Sequence, residues 1–461
     1  MIDLVSTIAT KGVETLVAEL TKAALTRVAK DFRDGQPSTT LNFRPHLEAT
    51  FHRCTKIKTI VNGDSPIELL HNYVPLDFLK LGKAIDDFST IENILFDKYV
   101  VISGHAGSGK SIFMRYLWVS YFVAGRGRIP LFVELRHLNS IELPDILTFM
   151  YHSTVDGSGE LGDRGRVAFD KAVGQGQFIF IFDGFDELNN IKRDTVASQI
   201  LKLSLAGKNV IVVSGRPDPR FQSWQRFIIY HVQPLTKQKA VLLIQRIDFD
   251  RKVKKTFLGE LQKKLYDSHT EFASRPLLLT IMLLTYSCWG NIEEKPRKTH
   301  VFFDQAFDTL FLRHDATKEI FKRERYTKYS IDDFKRLLAF FSITTYIDEA
   351  LEFTDATLQE YIKSAAQMYG FEDVNCELFA KDLLESVSIL QRDGVNIKFS
   401  HGSFQEYFSA YALVRLPRVI AQDLFVKCSL RERDNVMSMV FDMNKALLIL
   451  LAGNSEINFL V

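Results

Sequence analysis

The middle of the chain alternates between short, continuous apolar runs and segments with helical periodicity. Continuous apolar runs are typical of strands in a parallel sheet that is covered on both faces, because a half-exposed strand alternates apolar and polar positions. The predicted strands are YVVISG (99–104), IPLFVEL (129–135), FIFIFDG (178–184), NVIVVSGRP (209–217) and FIIYHVQPL (227–235). With crossover helices between them, they predict an α/β domain with a parallel sheet and helices on both faces.

The pattern changes after Pro234, where the apolar strands stop and residues 236–320 predict a small helical domain. Three further helices then precede a hairpin with Asp393-Gly394 at its turn, and another helix follows His401. Three helices, a hairpin and a helix have the layout of a winged-helix domain. The three helices are predicted at 331–347, 355–369 and 376–388.

The N-terminal part is less regular. Residues 4–33 predict a helix, 33–40 a linker, and 44–95 a mixed and mostly helical segment. Together these patterns divide the chain into five parts. They are an N-terminal helical region (1–70), an α/β domain (71–233), a helical domain (234–327), a winged helix (328–416) and a short C-terminal extension (417–461).

Composition narrows the class of protein. The chain of 461 residues is 46% hydrophobic and 25% charged with a net charge of +2, so overall charge does not require a nucleic-acid or anionic-lipid partner. A local patch still leaves nucleic acid open. The four cysteines lack CxxC spacing, which favours a reducing cytoplasm over a disulfide or zinc framework. The longest apolar runs are shorter than a membrane span, so we expect no integral membrane insertion.

The segment GHAGSGKS (104–111) follows a predicted strand and opens a helix. This pattern and context predict a P-loop, in which glycines turn backbone N–H groups toward phosphate oxygens at a helix N-terminus. Lys110 is expected to bridge the β- and γ-phosphates, and Ser111 to ligate Mg²⁺. The predicted nucleotide-binding residues of the loop are Gly104, His105, Ala106, Gly107, Ser108, Gly109, Lys110, Ser111 and Ile112.

A second motif, FIFIFDGFDELNN (178–190), brings Asp183 to the end of an apolar strand, where a Walker B carboxylate holds Mg²⁺. Asp186 and Glu187 follow three and four residues later and are candidates to orient or deprotonate an attacking water. Arg216 follows another apolar strand, where a cation can respond to a γ-phosphate. The alternatives are an acid-rich helix start and an ordinary surface arginine.

Together these motifs resemble the NACHT family of STAND NTPases. The residues that carry the resemblance are GHAGSGKS, DGFDE, SGRP, RPLLL and FSHGSFQEYFSA, and YVPLDF (73–78) is similar to the segment before the family's P-loop. The match spans about residues 70–416. The glycine between Asp183 and the later acidic pair is its most specific detail.

The resemblance implies that residues 71–233 are the nucleotide-binding NACHT domain of an ATP/ADP switch with Mg²⁺. It also implies that a winged helix closes this switch and that the active form assembles into a ring or wheel. It implies that Pro276 packs on adenine, that Arg216 is sensor 1, and that His401 contacts the β-phosphate of ADP. Taken alone, a histidine at a strand-to-helix corner is more often structural. The resemblance also implies an unknown trigger, which we expect to be a phage component.

Three functions remain open at this point. The first is a slow signalling ATPase in bacterial anti-phage immunity, favoured because no animal-type N-terminal effector is recognised. The second is a STAND-type DNA-binding regulator, which the basic clusters RKVKK (251–255) and FKRERYTK (321–328) permit, although solvated surfaces are the simpler reading. The third is a processive remodelling ATPase. Sensing falls either to a compact C-terminal extension or to sequence beyond this chain.

Overall fold

The computed structural model describes residues 43–61, 65–105, 107–124, 128–142, 145–154, 162–286, 299–316, 326–368, 370–371, 373–387, 389–393, 396–429, 431 and 435–453. The predicted helix at 4–33 and its linker lie outside the described residues. The chain divides into two compact units. The first contains Ile67–Leu235 and the chain up to Ile57, and the second contains Lys58–Pro66 and the chain from Thr236 onward. The finer division into five parts stays a prediction.

The first unit is an α/β unit. Its strands are β1 (Lys56–Ile57), β2 (Ile67–Glu68), β3 (Asp77–Lys80), β4 (Lys83–Asp86), β5 (Tyr99–Ser103), β6 (Ile129–Glu134), β7 (Phe178–Asp183), β8 (Val210–Gly215) and β9 (Ile228–Val232). Its helices are α1 (Arg44–Thr55), α2 (Leu69–Asn72), α3 (Asp87–Asp97), α4 (Lys110–Ala124), α5 (Ile146–Thr154), α6 (Gly162–Gln175), α7 (Asn190–Leu205) and α8 (Pro219–Ser223). Two 3₁₀ turns cover Leu135–Ser140 and Phe185–Glu187.

The main sheet has seven strands in the order β4-β3-β9-β5-β8-β7-β6. Strands β9, β5, β8, β7 and β6 are parallel, which confirms the five strands predicted from the apolar runs. Every residue of β5, β6, β7 and β8 is buried. Because neighbouring side chains point to opposite faces, burial at every position means that both faces of these strands are covered.

The two remaining strands of this sheet lie in the segment 44–95, which the sequence predicted as mixed and mostly helical. Helices α1, α2 and α3 agree with that prediction, but the two strands were not located. Strands β3 and β4 form an antiparallel hairpin at one edge, joined by Leu81 and Gly82 with φ of 48° and 78°. Two central residues with positive φ are the geometry of a tight hairpin turn. Both strands are short and partly exposed, so they lack the continuous apolar run that identifies the central strands.

The register of the strands determines which residues lie side by side at the carboxyl end of the sheet. Ser103 at the end of β5 is paired with Gly215 at the end of β8. Glu134 at the end of β6 is paired with Asp183 at the end of β7. Because all four strands run in the same direction, their polar endings share one edge, where ligands of open α/β sheets bind.

Two aromatic residues fix helix α4 against β6 of this sheet and against helix α3. The Trp118 indole Nε1 donates to the Pro130 carbonyl of β6 at 2.9 Å, and the Tyr121 hydroxyl donates to the Ile91 carbonyl of α3 at 2.8 Å. Both side chains are buried, so each hydrogen bond satisfies a polar group inside the core. The anchored helix holds its first turn, which begins at Lys110, at the end of β5.

The second unit is mainly helical. Its helices are α9 (Lys237–Arg246), α10 (Arg251–Glu260), α11 (Tyr266–Ser268), α12 (Thr270–Ala273), α13 (Pro276–Thr285), α14 (Thr299–Ala316), α15 (Ile331–Ile347), α16 (Asp355–Met368), α17 (Cys376–Lys381), α18 (Gly402–Arg415), α19 (Arg418–Ser429), α20 (Val436–Met443) and α21 (Lys445–Gly453). Two π-helical segments cover Leu261–Leu265 and Asp382–Ser386. Its strands are β10 (Glu352–Phe353), β11 (Leu390–Asp393) and β12 (Asn396–Phe399).

The segment from α15 to α18 has the element order of a winged helix. The predicted hairpin is present as β11 and β12, although Gly394 and Val395 of its turn lie outside the described residues. A two-residue strand, β10, adds to β12 and was not predicted, because two residues carry no periodicity. Phe341, Phe353 and Phe399 pack together beneath this small sheet.

Among the helices of the described segments, none combines the length and the low charge needed to cross a bilayer.

A buried carboxylate joins two parts of the second unit. Asp382, at the start of the second π-helical segment, is fully buried and accepts hydrogen bonds from the backbone N–H groups of Tyr326 (2.9 Å) and Thr327 (2.8 Å). The Ser386 hydroxyl donates to it at 2.7 Å. The carboxylate therefore holds the chain that leads into α15.

We expect Asp382→Ala to lower the free energy of unfolding of the second unit by about 3 kcal/mol, because it leaves buried backbone donors without an acceptor. Urea unfolding followed by circular dichroism measures the change. Glu377→Ala is the control, because Glu377 lies on the preceding helix and its pair with Lys381 is exposed to solvent. Equal stability of the Asp382 variant and the wild type would contradict this assignment.

Candidate nucleotide-binding site

The loop between β5 and α4 has the backbone that the P-loop pattern predicts. Gly107 and Gly109 have φ of 70° and 93°, in the left-handed region that glycine adopts without steric penalty. Ala106 lies outside the described residues. The loop ends at the N-terminus of α4, so backbone N–H groups and the positive end of the helix dipole are located together.

Gly104 is needed for close packing and not for an unusual φ. A Cβ on Gly104 would lie 2.8 Å from the Ser108 Oγ and 3.0 Å from the Val232 Cβ. Its backbone N–H donates to the Gly215 carbonyl at 3.1 Å. The first residue of the loop is therefore tied to the end of β8 and closely packed on β9.

Lys110 folds back over the loop. Its Nζ donates to the carbonyl of Gly104 at 2.7 Å and to the carbonyl of His105 at 3.0 Å. Burial lowers the pKa of Lys110 despite the nearby carboxylate of Asp186. Ser111 is exposed on the first turn of α4, where its hydroxyl is accessible, and Ile112 beside it is half-buried.

Asp183 ends β7 as predicted for a Walker B carboxylate, and it is buried. The hydroxyl of Ser214 on β8 donates to Asp183 Oδ1 and accepts a hydrogen bond from the Gly184 backbone N–H at 2.9 Å. Ser214 was not predicted as a site residue, although it is the first residue of the SGRP motif. The hydroxyl fixes the orientation of the carboxylate and links the ends of two neighbouring strands.

Gly184 explains why the DGFDE motif has a glycine after its first aspartate. Its φ is 80°, and a Cβ would lie 3.0 Å from Glu187 Cδ and 3.1 Å from Glu187 Oε2. Any other residue would therefore combine backbone strain with displacement of the Glu187 carboxylate. The glycine allows the chain to turn so that Asp183 and Glu187 lie at the same end of the strand.

Asp186 and Arg216 form an ion pair between the loop after β7 and the end of β8. Arg216 Nε donates to Asp186 Oδ2 at 2.9 Å, and the Arg216 backbone N–H donates to Asp186 Oδ1 at 3.1 Å. Burial opposes ionisation of Asp186, but the positive charges of Arg216 and Lys110 outweigh it and hold the pKa of this carboxyl below its usual value. The structure thus brings together Lys110, Asp186 and Arg216.

Glu187 is held by the 3₁₀ turn that follows β6. Arg136 Nη1 donates to Glu187 Oε2 at 3.2 Å, and Asn139 Nδ2 donates to the Glu187 carbonyl at 2.9 Å. Arg136 is also paired with the buried Glu134. Sequence reasoning missed Glu134, Arg136 and Asn139. The available signal was their position at the end of a buried strand or directly after it, as for Asp183 and Arg216.

Two predicted nucleotide contacts belong to the second unit. Pro276 is the first residue of α13, where its fixed φ and missing N–H favour the start of a helix. His401 is the N-cap of α18, and its Nδ1 accepts a hydrogen bond from the Ser403 backbone N–H at 3.1 Å. The corner histidine therefore has a structural role, and the nucleotide contacts of both residues stay predictions.

The donors present suit a nucleotide with Mg²⁺. Phosphate oxygens can be bound by the backbone N–H groups of the glycine-containing loop, by the N-terminus of α4 and by the Lys110 ammonium. The Ser108 Oγ is buried and has no hydrogen-bond partner among the described residues, as expected of a polar loop that a ligand completes. The Ser111 hydroxyl and the Asp183 carboxylate are oxygen ligands of the kind that Mg²⁺ prefers.

The ion pair predicts a specific pH dependence. Because the folded pKa of Asp186 is lower than that of the unfolded chain, its stabilising effect is present above the ordinary carboxyl pKa and is lost as the pH falls through the folded value. We expect Asp186→Asn to lower the free energy of unfolding by about 2 kcal/mol at neutral pH. The difference from the wild type should shrink at acidic pH.

Urea unfolding of both proteins between neutral and acidic pH measures this difference. Asp170→Asn is the control, because the pair that Asp170 forms with Arg166 on α6 is solvent-exposed and is expected to contribute little. A pH-independent difference between Asp186→Asn and the wild type would contradict the depressed pKa.

Comparison with solved structures gives remote matches. One is a STAND protein with a tetratricopeptide repeat sensor from Pyrococcus horikoshii, at 14% identity and a TM-score of 0.37, covering 79% of this chain and 46% of that chain. Another is a Walker-type ATPase from Pyrococcus abyssi, at 12% identity and a TM-score of 0.32, covering 70% and 94%. A third is an origin recognition protein of Aeropyrum pernix in complex with DNA, at 13% identity and a TM-score of 0.30, covering 70% and 91%.

No curated protein matches the chain. In the comparison with protein-family models, the model described as "NACHT domain" matches residues 98–248. That range contains the loop at 104–111, the DGFDE motif and Arg216, which are the residues that form the site in the first unit. Residues 98–248 therefore match a NACHT domain, a P-loop NTPase domain, in agreement with the resemblance that the sequence motifs carry.

Proposed function

We propose that this protein is a signalling switch of the NACHT type that binds ATP, hydrolyses it slowly and oligomerises on activation, in bacterial anti-phage defence. The observation that carries the proposal is the contact between Arg216 and Asp186 beside Lys110. A cation that is held by a carboxylate next to a phosphate-binding loop can respond to a third phosphate, because phosphate oxygens compete with the carboxylate for the same guanidinium.

In this proposal the loop residues 104–112 hold the phosphates, and Ser111 and Asp183 hold Mg²⁺. The metal ion supplies charge neutralisation and orientation of the phosphate oxygens. Glu187, held by Arg136 and Asn139, orients or deprotonates the attacking water, and Asp186 positions Arg216. Catalysis by positioning of this kind suits slow turnover, in which the bound state lasts long enough to act as a signal.

The second unit would act as the part of the switch that responds to the nucleotide. Pro276 is proposed to pack on adenine, and His401 to contact the β-phosphate of ADP. Because Nδ1 of His401 accepts the capping hydrogen bond, Nε2 carries the proton of the neutral ring and is the atom that would donate to a phosphate. The trigger, a proposed phage component, would favour the state in which this contact is broken and a ring or wheel assembles.

The first test is the nucleotide itself. We expect the purified wild type to retain or bind adenine nucleotide, and Lys110→Ala to weaken ATP binding at least about tenfold, because it removes a charge-assisted phosphate contact. Nucleotide extraction with chromatography and isothermal titration calorimetry measure both quantities. Lys171→Ala is the control, as an exposed lysine of α6 in the same unit. Absence of adenine nucleotide binding in the wild type would overturn the ATPase proposal.

The second test separates the two roles of His401. Asparagine is a good N-cap residue, so His401→Asn preserves the capping acceptor and removes the imidazole, whereas His401→Leu removes both. We expect both variants to release ADP faster and to assemble more readily without a trigger, and only His401→Leu to lose thermal stability. ADP release kinetics, light scattering and thermal melts measure these effects. If His401→Asn keeps ADP as tightly as the wild type, the histidine is a helix cap alone.

A further inference from the structure

A groove of about 420 Å³ lies along α10 in the second unit. Its walls carry three cations, Arg251, Lys254 and Lys255, and two side-chain amides, Gln245 and Gln262. This set of residues, together with Leu258 and Gly259 between them, is called the basic groove below. A cavity of this size is within the range that ligands occupy in proteins, about 300–1,000 Å³.

The residues that line the basic groove include three cations and no acidic side chain. Within the described parts of the chain, no carboxylate forms an ion pair with Arg251, Lys254 or Lys255. Lys254 Nζ instead donates to the neutral carbonyls of Ile247 at 2.8 Å and Gln245 at 3.3 Å. The nearest acid in sequence, Asp250, caps α10 by accepting from the Val253 backbone N–H at 2.8 Å. The lining of the groove is therefore positively charged.

The cations are placed where they weaken their own helix. Arg251 and Lys252 occupy the first turn of α10, which has no acidic residue. The positive end of the helix dipole lies at this turn, so cations there are unfavourable and acids would be preferred. The Asp250 cap stabilises this end of the helix, but the two cations that follow it do not.

Two further features of the basic groove have no stabilising effect. Gly259 lies in the last turns of α10, and nothing lies within 4 Å of the position that a Cβ would occupy, so packing does not require a glycine. Glycine inside a helix lowers its stability relative to alanine. Directly afterwards, Leu261–Leu265 form a π-helical segment, a rare geometry that is frequent at functional sites. Features that lower the local stability of a helix and that lie close together indicate a binding function.

We propose that the basic groove binds the phosphodiester backbone of single-stranded nucleic acid. Exposed Lys252 lies between the groove residues Arg251 and Lys254, and exposed Lys263 follows the groove residue Gln262. Positive charge therefore extends along this segment, which suits an extended polyanion more than a single phosphate. The amides of Gln245 and Gln262 both donate and accept hydrogen bonds. They can donate to phosphate oxygens and can also bond the sugar hydroxyls and base edges of a nucleic acid.

Fluorescence anisotropy of a labelled single-stranded oligonucleotide with the full chain tests the proposal at low and at physiological salt. Each phosphate contact with a single strand contributes about 0.7 to the slope of log affinity against log salt concentration, so the double variant R251Q/K255Q should reduce that slope by about 1.4. The matched control, K171Q/K202Q, removes the same charge from exposed lysines of the first unit and should leave the slope unchanged. Equal effects of the two double variants would overturn the proposal.

A second variant tests the groove independently of charge. Gly259→Leu adds a side chain over the groove in a helix that tolerates leucine better than glycine, so thermal stability should not fall while affinity for the oligonucleotide does. Wild-type affinity of this variant would overturn the proposal. Displacement of the oligonucleotide by polyglutamate at equal charge, or by pyrophosphate, would overturn the assignment to nucleic acid. Binding that is lost in Lys110→Ala would place it at the P-loop instead.

Discussion

The parallel register of β5, β8, β7 and β6 is the constraint on which the site in the first unit depends. It aligns Ser103 with Gly215 and Glu134 with Asp183. Residues that are distant in sequence therefore lie side by side where their strands end. A shift by one residue would reverse which side chains face each covering layer, and burial at every position of these strands would oppose it strongly. Core packing thereby fixes the relative positions of the charged groups.

On this frame the charged groups form two linked sets. In the first set, the cations Lys110 and Arg216 lie with the Asp186 carboxylate at the loop. In the second set, Arg136 is paired with both Glu187 and the buried Glu134. A buried cation or anion without a partner would be costly, so each group stabilises the ionised form of the next. The site is therefore charged and preorganised by the protein's own residues.

The sequence predicts the central sheet and the P-loop well because both have strong local signals. Continuous apolar runs identify the five parallel strands, and GHAGSGKS identifies the loop at the end of β5. The β3–β4 hairpin was missed because partly exposed edge strands of four residues lack such a run. Arg136 and Ser214 were missed because their roles depend on strand order, which places β6 and β8 on either side of β7 and which periodicity does not report.

His401 shows how one residue comes under two independent constraints. Its Nδ1 caps α18, so helix geometry fixes the plane of the imidazole ring. Serine, aspartate or asparagine would satisfy the cap equally well, but none of them offers a second, oppositely directed nitrogen. Substitutions that preserve the fold would therefore form a wider set than those that preserve a phosphate contact. A histidine retained at position 401 in related chains would therefore indicate selection for a phosphate contact. Serine, aspartate or asparagine at this position would indicate selection for the helix cap alone.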